Sequence, residues 1–118
     1  MKVLIVDDNA GAREMMRLVV EKLGHQVAGE ASDGEGAVKA FGELRPDAVL
    51  LDIIMPGKSG VSAMEEILQL DPGARIIIVS AVDQDELNAR LTAGGAAAVI
   101  RKPFGREDFE RAFRELGR

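Results

Sequence analysis

Apolar residues follow two rhythms along the chain. Val3-Leu4-Ile5-Val6, Ala48-Val49-Leu50-Leu51 and Ile76-Ile77-Ile78-Val79 are short, unbroken and largely β-branched. Runs of that length without polar alternation predict strands buried on both faces. Gln26 to Ala31 is more mixed and predicts a weaker strand nearer an edge, and Ala96 to Ile100 supplies a fifth strand. Between the strands the spacing becomes helical. Met15, Leu18, Val19 and Leu23 share one face before Gly24 stops the helix. Ala37, Val38, Phe41 and Leu44 form a second stripe, capped by Asp33 and closed by Pro46. Val61, Met64, Ile67 and Leu68 form a third, ended by Asp71-Pro72-Gly73. Residues 84–93 give a fourth helix with few anchors. Phe109, Ala112, Phe113 and Leu116, at i, i+3, i+4 and i+7, give a fifth.

Strands alternating with helices at this spacing are repeated βαβ units, so the fold class is α/β: a parallel sheet covered on both faces. Crossovers in such sheets are right-handed, and ligands bind at the carboxyl ends of the strands. The 118 residues suit one domain, taken as residues 1–118.

Composition narrows the function. No apolar run approaches the roughly 20 residues needed to cross a bilayer, and Asp7-Asp8 break the first one before it resembles an export signal. The expectation is a cytoplasmic protein with no membrane insertion. With no cysteine there is no disulfide, thiolate metal site or cysteine nucleophile. The net charge is −5, divided as −7 over residues 1–100 and +2 over 101–118. An acidic bulk with no Trp or Tyr argues against binding nucleic acid. The basic C-terminal stretch fits a solvated helix face or a docking surface.

The polar residues that stand out all follow apolar runs. The first strand leads into Asp7-Asp8, the third into Asp52, the fourth into Ser80, and the fifth is followed by Lys102-Pro103. Taken singly, Asp7 and Asp8 read as helix caps, Ser80 as a strand-end polar residue and Lys102 as solvated. Together they fall at one end of one sheet. Three carboxylates converging there repel one another unless a cation joins them. An all-oxygen donor set favours a hard divalent ion, Mg²⁺ with Mn²⁺ as substitute. A lysine and a hydroxyl beside it suit a phosphoryl group, and a carboxylate can itself be the nucleophile. Asp52 is the best candidate: it is the lone acid at its strand end, followed by a turn shaped by Pro56, Gly57 and Gly60. His25, at a helix-to-strand turn, reads as exposed.

The pieces Val6-Asp7-Asp8-Asn9, Gly29-Glu30-Ala31, Asp33-Gly34, Pro46-Asp47, Leu51-Asp52-Ile53, Met55-Pro56-Gly57, Gly60, Ser80-Ala81, Gly95-Ala96 and Lys102-Pro103-Phe104 resemble, in this order, the receiver domain of two-component response regulators. The chain is most similar to the stand-alone CheY type. That resemblance implies a flavodoxin-like, CheY-like fold: a five-stranded parallel sheet of order 2-1-3-4-5 with five helices on its two faces. It implies that Asp52 is the phosphoacceptor, served by a sensor histidine kinase or phosphotransfer protein. Asp8 would ligate Mg²⁺ directly, Asp7 mainly through water, and Ile54 through its backbone carbonyl. Lys102 would pair with the phosphoryl oxygens and Ser80 would swing in to bond one of them. Ala81 would leave the pocket open, and Pro103 would follow Lys102 through a tight, cis peptide. A downstream protein would read the face made by the fourth helix, fifth strand and fifth helix, with a monomer or weak dimer as the working form and chemotaxis as the favoured pathway.

Two departures from the family pattern stand out. Val99 occupies the place of the usual aromatic switch residue, which implies that the Ser80 movement operates without its ring partner. Ile54 and Val82 are apolar where polar side chains can position the hydrolytic water, which implies a long-lived phosphoryl group. The bare Gly94-Gly95-Ala96-Ala97-Ala98 stretch and the poorly anchored fourth helix suggest the moving surface. Other readings are the excised receiver of a DNA-binding regulator and a Mg²⁺-dependent aspartyl phosphohydrolase. Ile54 speaks against the latter, because such enzymes commonly place a second acid there. A nucleotide or flavin domain would need a Gly-rich loop where Asp7-Asp8-Asn9-Ala10-Gly11 stands. The expectation is a switch, not an enzyme beyond its own phosphorylation and slow dephosphorylation.

Overall fold

The computed structural model describes residues 1–55, 57–81 and 85–116. The turn assigned to Pro56, the Val82 side chain and the first residue of the expected fourth helix, Gln84, lie outside the described residues. The elements run β1 (Lys2–Val6), α1 (Ala10–Lys22), β2 (Gln26–Ala31), α2 (Gly34–Leu44), β3 (Ala48–Asp52), α3 (Gly60–Leu70), β4 (Ile76–Ser80), α4 (Asp85–Ala93), β5 (Ala98–Arg101) and α5 (Arg106–Leu116). The strands are all parallel, in the order β2-β1-β3-β4-β5.

The unbroken apolar runs are explained by what each face meets. Side chains of β1, β3 and β4 alternate between two cores. Leu4, Val6, Val49, Leu51, Ile76 and Ile78 pack with Phe41 of α2, Met64 and Ile67 of α3, and Leu91 of α4. Val3, Ile5, Ala48, Leu50, Ile77 and Val79 pack with Met16 and Val20 of α1 and with Phe109, Ala112, Phe113 and Leu116 of α5. A strand with apolar neighbours on both sides has no polar face to show. Each large side chain buried this way contributes about 1.5–3 kcal/mol relative to exposure. The edge strand β2 is mixed because it is covered less, and Gly29 lies beneath Leu44, whose Cδ1 stands 2.7 Å from where a Cβ would be.

The helix ends are as the sequence implies for α2. Asp33 accepts from the Gly36 amide at 2.7 Å, and Arg45 closes the helix in the left-handed region with φ 45°. Three expectations need correction. The buried face of α1 is Met16 and Val20; Met15 and Leu18 are 58% and 59% exposed. The apolar residues cover about half of this helix's circumference, wider than the buried face, and contact with the sheet selects Met16 and Val20 within that arc. His25 is half-buried, not exposed: its ring stacks on Phe113 at 4.4 Å and Nδ1 faces the Met1 ammonium at 3.0 Å. Burial and that ammonium lower its pKa. Finally, β5 runs from Ala98 to Arg101, because strand pairing with β4 begins at Ile77 opposite Ala98.

Candidate functional site

The carboxyl ends of β1, β3, β4 and β5 surround a cleft of about 240 Å³ lined by Asp7, Asp8, Asn9, Asp52, Ile53, Ile54, Ser80, Ala81 and Lys102. β1 and β3 are hydrogen-bonded neighbours, with Val6 opposite Leu51. That pairing places the acids that follow them side by side. Each of Asp7, Asp8 and Asp52 offers an oxygen, and the three oxygens lie within 4.8 Å of one another. Asp7 and Asp52 are buried; Asp8 faces solvent.

Neither aspartate of the first pair caps α1. Asn9 does, accepting from the Ala12 amide at 2.9 Å. Asp7 is held at every polar atom. Its amide donates to the Ala31 carbonyl (3.1 Å), Oδ1 accepts from the Asn9 amide (2.9 Å), Oδ2 from Lys102 Nζ (3.0 Å), and its carbonyl from Arg13 Nη1 (2.7 Å). Asp8 has no side-chain partner among the described residues.

Asp52 sits at the centre. Gly60, at the start of α3, packs so closely that a Cβ there would lie 2.3 Å from the Asp52 carbonyl oxygen and 2.6 Å from Ile53 Cα. Only glycine lets the helix approach the strand end this way. Burial pushes the Asp52 carboxyl up to about 6, helped by the charges of Asp7 and Asp8 and opposed by Lys102 and the Ile54 amide. The site thus carries more negative charge than its one lysine offsets, and its all-oxygen donors fit a hard divalent cation. The Ser80 hydroxyl is buried with no hydrogen-bond partner among the described residues. A buried hydroxyl without a partner is unusual and can donate a hydrogen bond within the cleft.

The remaining residues flagged in the sequence fall around this centre. Ala81 is exposed on the cleft wall, and Ile54 is 62% exposed beside it. Pro103 follows Lys102 through a cis peptide bond but is not in the cleft wall. Val99 is half-buried and lines a different groove of about 560 Å³, with Asn88, Arg101 and Arg111, between α4, β5 and α5. Sequence reasoning passed over Arg13. Its one visible signal is a cation in the first turn of a helix, where the dipole disfavours it.

The response regulator receiver domain family matches residues 3–114. The chain belongs to this family. Among its relatives, this receiver domain is 45% identical over 103 residues to the chemotaxis protein CheY of Thermotoga maritima, across 87% of this chain and 86% of that protein. It is 36% identical over 116 residues to the response regulator GacA of Pseudomonas aeruginosa, across 98% of this chain but 54% of that protein. Among solved structures, CheY in the CheX-CheY-BeF3-Mg²⁺ complex from Borrelia burgdorferi superposes with a TM-score of 0.95 at 29% identity, covering 100% of this chain and 90% of that one. The receiver fold and the strand order implied by the resemblance are those observed.

Proposed function

We propose that this chain, residues 1–118, is a single receiver domain that accepts a phosphoryl group on Asp52 from a phosphohistidine of a sensor kinase or phosphotransfer protein. One observation carries this: a buried aspartate in one cleft with two further acids, a lysine and a hydroxyl that has no partner among the described residues. An Asp52 carboxylate oxygen forms the new P–O bond while the P–N bond to the donor imidazole breaks, and the ring nitrogen keeps the electron pair and takes a proton. Lys102, 3.9 Å from Asp52 Oδ1, is within reach of the transferred oxygens, and Ser80 turns its free hydroxyl to one of them. Asp8, solvent-facing and without a side-chain partner among the described residues, would ligate Mg²⁺ or Mn²⁺ directly. Asp7, with both oxygens already engaged, would act mainly through water, and Ile54 would contribute its backbone carbonyl. When bound, the divalent ion supplies the charge that offsets the acids and the phosphoryl oxygens.

The output is a change in a protein-binding surface on the α4-β5-α5 side. That α4 buries only Asn88 and Leu91 supports this side as the part that moves. The likeness to CheY proteins favours a chemotaxis-type target. The match to just over half of GacA favours, as second reading, the receiver portion of a longer regulator, including one that binds DNA. Among the described residues no helix is long and apolar enough to cross a membrane; membership of the receiver family supports a cytoplasmic setting.

Incubation with a small phosphodonor and Mg²⁺, followed by mass spectrometry of the intact chain, tests the assignment. One phosphoryl group per chain is expected, lost in Asp52→Asn and absent without the divalent ion. Labelling that persists in Asp52→Asn would refute it, and repeated turnover of a generic phosphate ester would favour the phosphohydrolase reading.

A further inference from the structure

Arg13 stands in the first turn of α1, the end of a helix that repels a cation. Its side chain spans two partners. Nη1 donates to the Asp7 carbonyl oxygen at 2.7 Å, and Nε donates to Glu30 Oε1 at 3.1 Å. The other carboxylate oxygen of Glu30 is taken by Arg17, at 3.0 Å from Nε and 2.5 Å from Nη2. Glu30 thus fixes Arg13 from the edge strand, and the Arg13 guanidinium is directed at a backbone carbonyl.

That carbonyl belongs to the peptide joining Asp7 to Asp8. Asp8 has no side-chain partner among the described residues, so the rest of the protein aims it only through the backbone, which sets the direction of its Cα–Cβ bond. Holding the peptide plane on its carbonyl side restricts the backbone rotation that sets this direction. We propose that Arg13 is a positioning residue for the metal site: through the Asp7 carbonyl it orients Asp8 for a divalent cation, with Glu30 as its anchor. This rests on the metal ligation proposed above.

The idea makes a prediction of unusual sign. A cation that merely sits near three acids weakens metal binding, and deleting it should tighten the site. A positioning cation does the reverse. Titration of the full chain with Mg²⁺ alone, read by calorimetry and by the Asp8 and Asp52 amide shifts, separates the two. Arg13→Ala should bind Mg²⁺ about tenfold more weakly, the low end for residues that orient a ligand. Arg17→Ala removes a cation from the same Glu30 pair without touching Asp7, and should bind as the wild type does. Arg13→Lys keeps the charge but cannot span both partners, and should fall between; it carries the test should Arg13→Ala not fold. Equal or tighter binding by the Arg13 variants, or equal weakening in Arg17→Ala, would overturn the proposal while the metal site stands. A wild type that takes up no Mg²⁺ would overturn the underlying reading as well.

Discussion

The Lys102 ammonium stands 3.0 Å from Asp7 Oδ2 and 3.9 Å from Asp52 Oδ1, so in this state it is committed mainly to the first acid and only leans toward the second. It is nonetheless the charge that holds the Asp52 carboxyl down against burial and its neighbours. Lys102→Ala should therefore raise the Asp52 pKa above about 6. Carbon-detected NMR titration of the side-chain carboxyl, without divalent ions, gives the answer. A value unchanged or lower would show that the lysine is too well hydrated to matter.

The raised Asp52 value also makes stability depend on pH. Its carboxyl binds a proton more tightly in the folded chain than in the unfolded one, where 3.8 is the reference. The resulting stabilisation is complete below that reference and lost as pH rises through about 6. At about 1.4 kcal/mol per pH unit, the loss by neutral pH is on the order of 2–3 kcal/mol. Asp52→Asn, which cannot ionise, should be more stable than wild type at pH 7 by that order and little different near pH 4. Urea denaturation at the two values measures it; Mg²⁺ should narrow the gap at pH 7.

Ile54 lines the cleft with 62% of its surface exposed, so it packs little. Ile54→Asn should leave the unfolding midpoint nearly unchanged, within about 0.5 kcal/mol, and shorten the lifetime of the phosphoryl group by offering the hydrolytic water a polar partner. Loss of label followed over time by mass spectrometry decides this. An unaltered or longer lifetime would assign Ile54 to the rim alone.

Phe109→Ala and Leu18→Ala make a matched test of which helix faces look inward. Phe109 is fully buried and touches Phe104 edge-on at 4.8 Å between ring centres. Its truncation should cost about 3–5 kcal/mol. Leu18 is on the outer side of α1, and its truncation should cost about 0.5 kcal/mol or less. Circular dichroism in urea is the suitable probe, since the chain has no Trp or Tyr. A large loss in Leu18→Ala would turn α1 the other way round.

These pairs also mark where sequence stops being informative. The central strands were readable because a strand with cores on both faces carries no polar position, and α5 because Phe109, Ala112, Phe113 and Leu116 leave only one face apolar. Asp7, Asp8, Asp52, Ser80 and Lys102 could be placed at one sheet end because each closes a strand or follows one within two residues. In α1, Met15, Met16, Leu18, Val19 and Val20 form an apolar arc wider than the buried face, and only contact with the sheet distinguishes them. His25 and Arg13 depend on partners 24 and 17 residues away, Met1 and Glu30, whose meeting is a product of tertiary packing. Local pattern carries no trace of such contacts. Asn88, a polar side chain buried in α4 with no partner among the described residues, lies beyond it for the same reason.

The order of the strands divides the site between two levels of local stability. β1 and β3, which deliver all three acids, are neighbours with a strand on each outer side, whereas β5, which leads to Lys102, is held to the sheet by β4 alone. Amide protons in β1 and β3 should exchange only when the whole domain opens, and those of β5 through a smaller, earlier opening. The acids then stay assembled when the lysine departs. Addition of Mg²⁺ should slow exchange around the ends of β1 and β3, and only a phosphoryl mimic, bridging Asp52 to Lys102, should slow it across β5 as well.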